Sequence, residues 1–325
     1  MWGNPFRLRS GCARRIREEG REVNPGRTKG TDFHRMPLRA MVLMSFMCLL
    51  WGGNMVSIKV SSRGLPPIVA ATLRDAVASM CLFVYARLKG EKLFFDRADF
   101  KHSAMLGGIF GINFLLLYWG TAYTDASRAI IFLYTQPLWI ALGAHLLLPA
   151  ERLTLSKASG LSVAFLGLVM VFGSHSPELA SGHWLGDFME LGAALFWAAS
   201  ILYIKKFLTY RRVSQFQTLF VQLFFSIPIL AISALIFERG QPVALTSLVL
   251  ANFFYQSVLI AFVTYVLYLW MVHTYPVSRL ASFSFLTPIM GVISGAAILG
   301  EGITAILVAG LVCVLGGISM VNRPT

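Results

Sequence analysis

SRAIIFLYTQPLWIALGAHLLLPAERLTLSKASGLSVAFLGLVMV, residues 127–171, recurs in weaker form as SRLASFSFLTPIMGVISGAAILGEGITAILVAGLVCVLGGISMV, residues 278–321. Ten positions lead from Ser127 to Pro137 and from Ser278 to Pro288. Fourteen and thirteen lead from the prolines to Glu151 and Glu301, nine more to Gly160 and Gly310, and seven more to Gly167 and Gly317. Chance supplies one such match, hardly four in order. Each copy is an apolar run with one proline, a short acidic turn and a second apolar run with spaced glycines. That is a helical hairpin written twice.

Outward from the hairpins the chain stays apolar. Hydrophobic residues make up 56% of its 325 residues and charged residues 13%, against about 25% charged in soluble domains. A bilayer-spanning helix needs about 20 apolar residues. Spans are expected at 39–58, 67–87, 103–121, 128–148, 156–173, 185–204, 216–237, 250–271, 279–299 and 303–321. The fold class is therefore an all-α integral membrane protein of ten transmembrane helices. The first apolar run follows a long basic stretch and is not a cleavable signal. Residues 1–36 are Arg-rich and punctuated by Gly and Pro, which suits either a disordered cytoplasmic tail or one held against anionic lipid. Met36 and Met41 are alternative starts.

The net charge of +13 does not indicate a nucleic-acid partner, because of where it sits. With the N-terminus in the cytoplasm, twenty-three Lys and Arg fall on the cytoplasmic side and four outside, with Arg74 in a span. That bias orients both termini inward. Five spans per copy is an odd number, so the copies enter the membrane from opposite sides. The chain divides into a first repeat at 37–173, an outer linker at 174–184 and a second repeat at 185–322. Trp51 to Lys59 and Trp197 to Lys205 repeat the same spacing in the first span of each half. Inverted repeats are the architecture of many secondary transporters, with a substrate site near mid-depth between the halves.

Candidate site residues follow from the cost of polarity in lipid. Trp51, Asn54, Asn113, Tyr134, Gln136, Trp197, Gln222, Tyr265 and Tyr268 lie well inside spans and should face inward, either around a pocket or as interhelical glue. Pro137 and Pro288 each remove a helix hydrogen bond and free a carbonyl, giving a hinge beside the pocket or a packing kink. Arg74 and Asp75 read as the only charges deep in a span. Neighbouring helix positions diverge by about 100°, so the two are not expected to pair. Arg74 then holds a polar wall, a substrate anion or a loop acid such as Asp125, and Asp75 is a candidate proton site. Lys59, Glu151 and Glu301 are assigned to gating or turn capping. The glycine pairs, including Gly107 with Gly111 and Gly291 with Gly295, read as close helix contacts. Neither the four cysteines nor the six histidines cluster at metal spacing, and no P-loop, nucleophile elbow or zinc-protease helix occurs. No metal or cofactor is expected, and no obligatory protein partner is evident. The expected partners are a small-molecule substrate and the lipid bilayer.

LLWGGNMVSIK at 49–59, LPPIVAATLRDAVA at 65–78, TDASRAIIFLYTQPLWIALGA at 124–144 and TYPVSRLASFSFLTPIMGVISGAAILGE at 274–301 resemble the EamA-type drug/metabolite transporters. The resemblance spans roughly 37–322. It implies two inverted EamA repeats, a central cavity and a permease of the bacterial inner membrane that exports metabolites, amino acids or toxic compounds. By position its motif residues are Trp51, Gly52, Asn54, Lys59, Pro67, Arg74, Ser127, Gln136, Pro137, Glu151, Pro288 and Glu301. The second repeat departs from the pattern, with Trp197-Ala198 for Trp51-Gly52 and Leu286-Thr287 before Pro288. The reading is a secondary exporter of the plasma membrane working by alternating access, and not an enzyme. The alternatives are a lipid-modifying membrane enzyme, for which the acids are too scattered, and a non-transporting scaffold.

Overall fold

The computed structural model describes residues 36–323 except 63, 97–98, 125, 174–183, 209–212 and 300–303. The basic tail up to residue 35, nearly all of the 174–184 linker and Glu301 lie outside the described residues, as do the side chains of Lys59 and Ser127. Among the described residues every regular element is helical: α1 (Leu38–Ser61), α2 (Pro67–Lys89), α3 (Phe100–Tyr123), α4 (Ala126–Leu133), α5 (Gln136–Leu147), α6 (Leu155–Gly173), α7 (Trp184–Tyr203), α8 (Gln215–Phe237), α9 (Ser247–Phe254), α10 (Tyr265–Thr274), α11 (Val277–Phe283), α12 (Leu286–Leu299) and α13 (Ala305–Asn322). Wide π-turns continue α7 through Ile204–Leu208 and join α9 to α10 through Tyr255–Thr264. Joined in this way, with α4 followed by α5 and α11 by α12, they make ten membrane runs. Nine are long and apolar enough to cross a bilayer, and Leu38–Asn54 is a shorter apolar helix within the tenth. Their outer faces carry bare leucines such as Leu146, Leu155 and Leu235. Lipid tails solvate such a surface at no cost, while the polar residues turn inward.

The two hairpin copies are inverted, and their glycines show it. Helices α6 and α13 are the second arms of the copies. A Cβ built on Gly160 would lie 2.7 Å from the Gly317 carbonyl oxygen. One on Gly167 would lie 2.9 Å from the Gly310 oxygen, and one on Gly310 2.9 Å from the Gly167 oxygen. The first glycine of each copy thus touches the second glycine of the other. Equivalent helices that meet this way run antiparallel, which requires a two-fold axis lying across them. The same logic of small residues brings α1 onto α12, where a Cβ on Gly52 would be 2.5 Å from the Gly291 nitrogen. Helix α3 rests on α8 through Gly107 and Gly111. Helix α2 packs on α8, α3 on α7, and α5 on α7, so the halves are joined along most of their length.

The prolines act where expected, and more strongly than a bend. Each of the two spans is interrupted. Tyr134 and Thr135 separate α4 from α5, and Ser284 and Phe285 separate α11 from α12. A proline has no N–H and crowds the carbonyl four residues earlier. The chain answers by tightening to i→i−3 bonds, Thr135 N to Phe132 O at 3.2 Å and Ser284 N to Ala281 O at 3.0 Å. Both breaks fall just before the paired prolines, two residues ahead of Pro137 and three ahead of Pro288, so the copies agree to within one residue.

The acidic turn of the first copy reaches across to the second. The Glu151 carboxylate accepts from Val277 N at 3.0 Å, Ser278 N at 3.1 Å and Ser278 Oγ at 3.0 Å. It caps the N-terminus of α11, where free amide donors and the helix dipole favour an anion. Glu238, at the end of α8, does the same for Ile68 N and Val69 N at the start of α2. Lys205 caps the opposite polarity, donating to Val272 O and Tyr275 O, both at 2.9 Å, at the C-terminal end of α10.

Candidate functional site

The breaks in the two spans open onto one cavity of about 590 Å³ between the halves. Tyr134 and Gln136 reach it from the first break, Ser284 and Thr287 from the second. Trp51 and Trp197, which hold the same place in the two repeats, both line it. Tyr265 sits between them, its ring centroid 6.3 Å from Trp51 and 6.1 Å from Trp197. The indole N–H of Trp51 donates to Thr264 Oγ1 at 2.8 Å and fixes the ring against the wide π-turn. That turn also rephases the helix. Ile260 and Tyr265 are five apart and both line the cavity, although in an α-helix they would diverge by about 140°.

Helix α3 supplies a second aromatic wall. Phe110, Phe114 and Tyr118 recur every four residues, so their rings stack up one face, with Phe110 to Phe114 at 4.7 Å and Phe114 to Tyr118 at 6.3 Å. The Arg74 guanidinium lies over Phe114, 4.0 Å from the ring centroid. It also donates to Asp75 Oδ1 from Nε at 3.0 Å and from NH2 at 2.7 Å. This corrects the expectation that the two could not pair. The arginine stem is long enough to fold back along its own helix, and with both groups buried the alternative is two unpaired charges. Asp75 Oδ2 accepts from Ser226 Oγ at 2.8 Å. Asp75 is not in the cavity wall; its Oδ1 meets Arg74, and its Oδ2 meets a Ser226 hydroxyl that is also 2.7 Å from Leu223 O.

Of the sequence candidates, Trp51, Asn54, Arg74, Asn113, Tyr134, Gln136, Trp197 and Tyr265 line this cavity. Gln222 and Tyr268 do not. Gln222 is buried and donates to Ser200 Oγ at 2.9 Å, tying α8 to α7 as interhelical glue. Tyr268 backs the wall, 5.2 Å from Trp51 and 6.2 Å from Trp197. Asn113 has a double role, since its amide also donates to Ala193 O at 2.6 Å.

Sequence reasoning missed Asp187 and Glu190. Both lie inside α7 and are buried, Glu190 completely, so Arg74 and Asp75 are not the only charges deep in a span. Asp187 pairs with Arg128 and accepts from Thr124 Oγ1 at 2.7 Å. Glu190 lines the cavity, and its Oε1 lies 3.0 Å from Thr121 Oγ1. The signal was present: FMELGAALFW at 188–197 is an apolar run with a lone acid, and the argument that singled out Arg74 applies to it equally.

Comparison with known proteins follows this geometry closely. The model of the EamA-like transporter family matches residues 38–173 and again 184–323. The chain belongs to the EamA-like transporter family. It is a multi-pass membrane transporter rather than an enzyme, and the enzyme and scaffold alternatives fall with that membership. Among its relatives is the uncharacterized transporter YoaV of Bacillus subtilis (strain 168), 22% identical over 87% of this chain and 96% of the relative. A probable amino-acid metabolite efflux pump of Salmonella typhimurium is 29% identical over 85% of this chain and 92% of the relative. A similarly named pump of Escherichia coli (strain K12) is 28% identical over 85% of this chain. A solved crystal structure shares the fold at TM-score 0.72 and 19% identity, covering 87% of this EamA chain and 98% of the other.

Proposed function

We propose that this EamA protein is a secondary carrier that moves small amphipathic solutes out of the cell by alternating access. The observation that carries the reading is the cavity itself. It lies between two inverted halves, is walled by aromatics from both, and is entered by both proline breaks. Inverted halves that rock about a shared site open it to one side at a time. Two interrupted helices with carbonyls released from the ladder give that rocking a place to bend. Trp51, Trp197, Tyr265 and Tyr118 supply apolar faces, while Asn54, Asn113 and Gln136 supply donors and acceptors, a mixture suited to solutes with one flat apolar part and one polar end.

Export and the amino-acid-like solute class come from the relatives named as amino-acid metabolite efflux pumps. Orientation comes from the Lys and Arg bias, which puts both termini in the cytoplasm of a plasma-membrane protein. The capping of α11 by Glu151 makes that turn a latch between the halves. Liposomes containing the purified protein and loaded with a mixture of metabolites should release a subset faster than protein-free liposomes. Identical release profiles would sink the carrier reading.

A further inference from the structure

Beyond the carrier reading, and resting on it for its biological meaning, the charge balance of the cavity points to a class of solute. Arg74 and Glu190 are the only Asp, Glu, Lys or Arg side chains in the wall among the described residues. Arg74 is neutralised on the spot by Asp75. The other buried acids among the described residues are likewise satisfied: Asp187 by Arg128, Glu151 and Glu238 by amide N–H groups. Glu190 is the exception. Its side chain is fully buried, and no cation meets it among the described residues. Among the described residues its only hydrogen-bond neighbour is the Thr121 hydroxyl, whose single proton is shared with Leu117 O, 2.7 Å from the same Oγ1. Glu190 Oε2 has no hydrogen-bond partner.

Two further wall atoms are in the same condition, Asn54 Oδ1 and the Tyr118 hydroxyl. A buried polar atom without a partner costs free energy comparable to a lost hydrogen bond, and a buried carboxylate costs more. Glu190, Asn54 and Tyr118 all line the cavity, and each carries one buried polar atom without a hydrogen-bond partner. Tyr118 lies one turn before Thr121 on α3, so its oxygen and the Glu190 carboxylate are reached from the same stretch of wall. The rings of Tyr118, Trp51 and Trp197 are attractive to a cation, whereas Phe114 already holds Arg74.

We propose that Glu190 is the specificity-determining residue of the cavity, and that its carboxylate receives the ammonium group of an aromatic or alkyl amine. The ammonium brings three donors to a wall rich in unfilled acceptors, and its charge completes the one unbalanced group. A neutral alcohol of the same shape brings one donor and no charge, and a carboxylate brings acceptors to a wall of acceptors.

The test is equilibrium binding to the full-length protein in lipid nanodiscs at pH 7, by titration calorimetry, with phenethylamine, 2-phenylethanol and 3-phenylpropionate as probes. Phenethylamine should bind at least about tenfold more tightly than 2-phenylethanol, the discrimination expected of a charge-assisted hydrogen bond. The propionate should bind most weakly. Glu190→Gln should erase the preference for phenethylamine over 2-phenylethanol, while its thermal unfolding in nanodiscs stays cooperative, which reports that the fold is intact. A wild-type protein that does not prefer the amine, or a Gln variant that keeps the preference, overturns the proposal. If the Gln variant does not fold, Glu190→Asp keeps the charge and withdraws it by one methylene. It should lose part of the preference, and full retention or loss shared equally by all three probes counts against the assignment. Binding and flux are separate readouts. Amine preference in a protein that releases nothing from liposomes would overturn the carrier reading alone, and release without amine preference would overturn this inference alone.

Discussion

At the scale of single residues, the interior is decided by which charges find partners. Arg74 and Asp75 neutralise each other while buried at 2% and 0% exposure. Removing one member of such a pair leaves an uncompensated charge, which typically costs about 3–5 kcal/mol. Arg74→Ala should therefore lower stability by that order, and Asp75→Asn should do likewise. The double variant should cost clearly less than the sum of the two, read as a coupling term in thermal unfolding of the nanodisc-embedded protein. Additive losses would mean that the two groups act independently. Trp51 and Gln136 are different in kind. Both line the cavity, and Trp51→Ala removes an indole that one Thr264 hydrogen bond holds in place. Either Trp51→Ala or Gln136→Ala should abolish release of the transported solute from liposomes, while membrane insertion, followed by fractionation, is unchanged. Full flux in both would remove the cavity from the transport path.

At the scale of elements, helix contact rests on glycine because lipid offers no hydrophobic drive for one apolar helix to choose another. Close approach of backbones, and the dispersion it gains, makes the choice. Gly160 has no room for a methyl group, with the Gly317 oxygen 2.7 Å from its Cβ position, whereas Gly108 faces open space. Gly160→Ala should destabilise by about 1–3 kcal/mol through overpacking. Gly108→Ala should be neutral or slightly stabilising, since alanine is the better helix former. The pair is measured together by thermal unfolding, and equal effects at the two sites would contradict the assigned crossing of α6 and α13. The proline breaks belong to this scale as well. Pro228 lies within α8 without ending it, so a proline alone does not break a span. Pro137 and Pro288 coincide with breaks at matched positions in both copies.

For the whole molecule, the antiparallel crossing of α6 on α13 ties the hairpin duplication to inversion. Ala150 precedes the first copy's second arm, and Thr304 precedes the second copy's. In a background without native cysteines, Ala150→Cys and Thr304→Cys should react with a membrane-impermeant thiol reagent from opposite faces, Ala150 from the cytoplasmic side. Labelling of both from one face would mean the halves are parallel, and the mid-depth cavity would lose its symmetry argument.

Composition, spacing and the Lys and Arg distribution pointed, without coordinates, to a ten-span helical protein with an inverted duplication, and the quoted motifs to a resemblance to the EamA transporters. Span length, proline position and repeated glycines are properties of the chain taken one stretch at a time. Part of the cavity's lining was legible too, since Trp51, Asn54, Tyr134 or Gln136 in an apolar run has few places to point but inward. Tertiary structure alone decided which inward residues meet. Lipid and protein interior are both apolar, so most of these helices, α5 and α8 among them, carry no amphipathic stripe to reveal their facing, and Gln222 on α8 could not be told from Gln136 on α5. The pairing of Arg74 with Asp75 depends on the flexibility of one side chain, which spacing does not encode. That Glu190 stands in the wall with no cation beside it among the described residues depends on where the other charges went, and only the assembled bundle settles that.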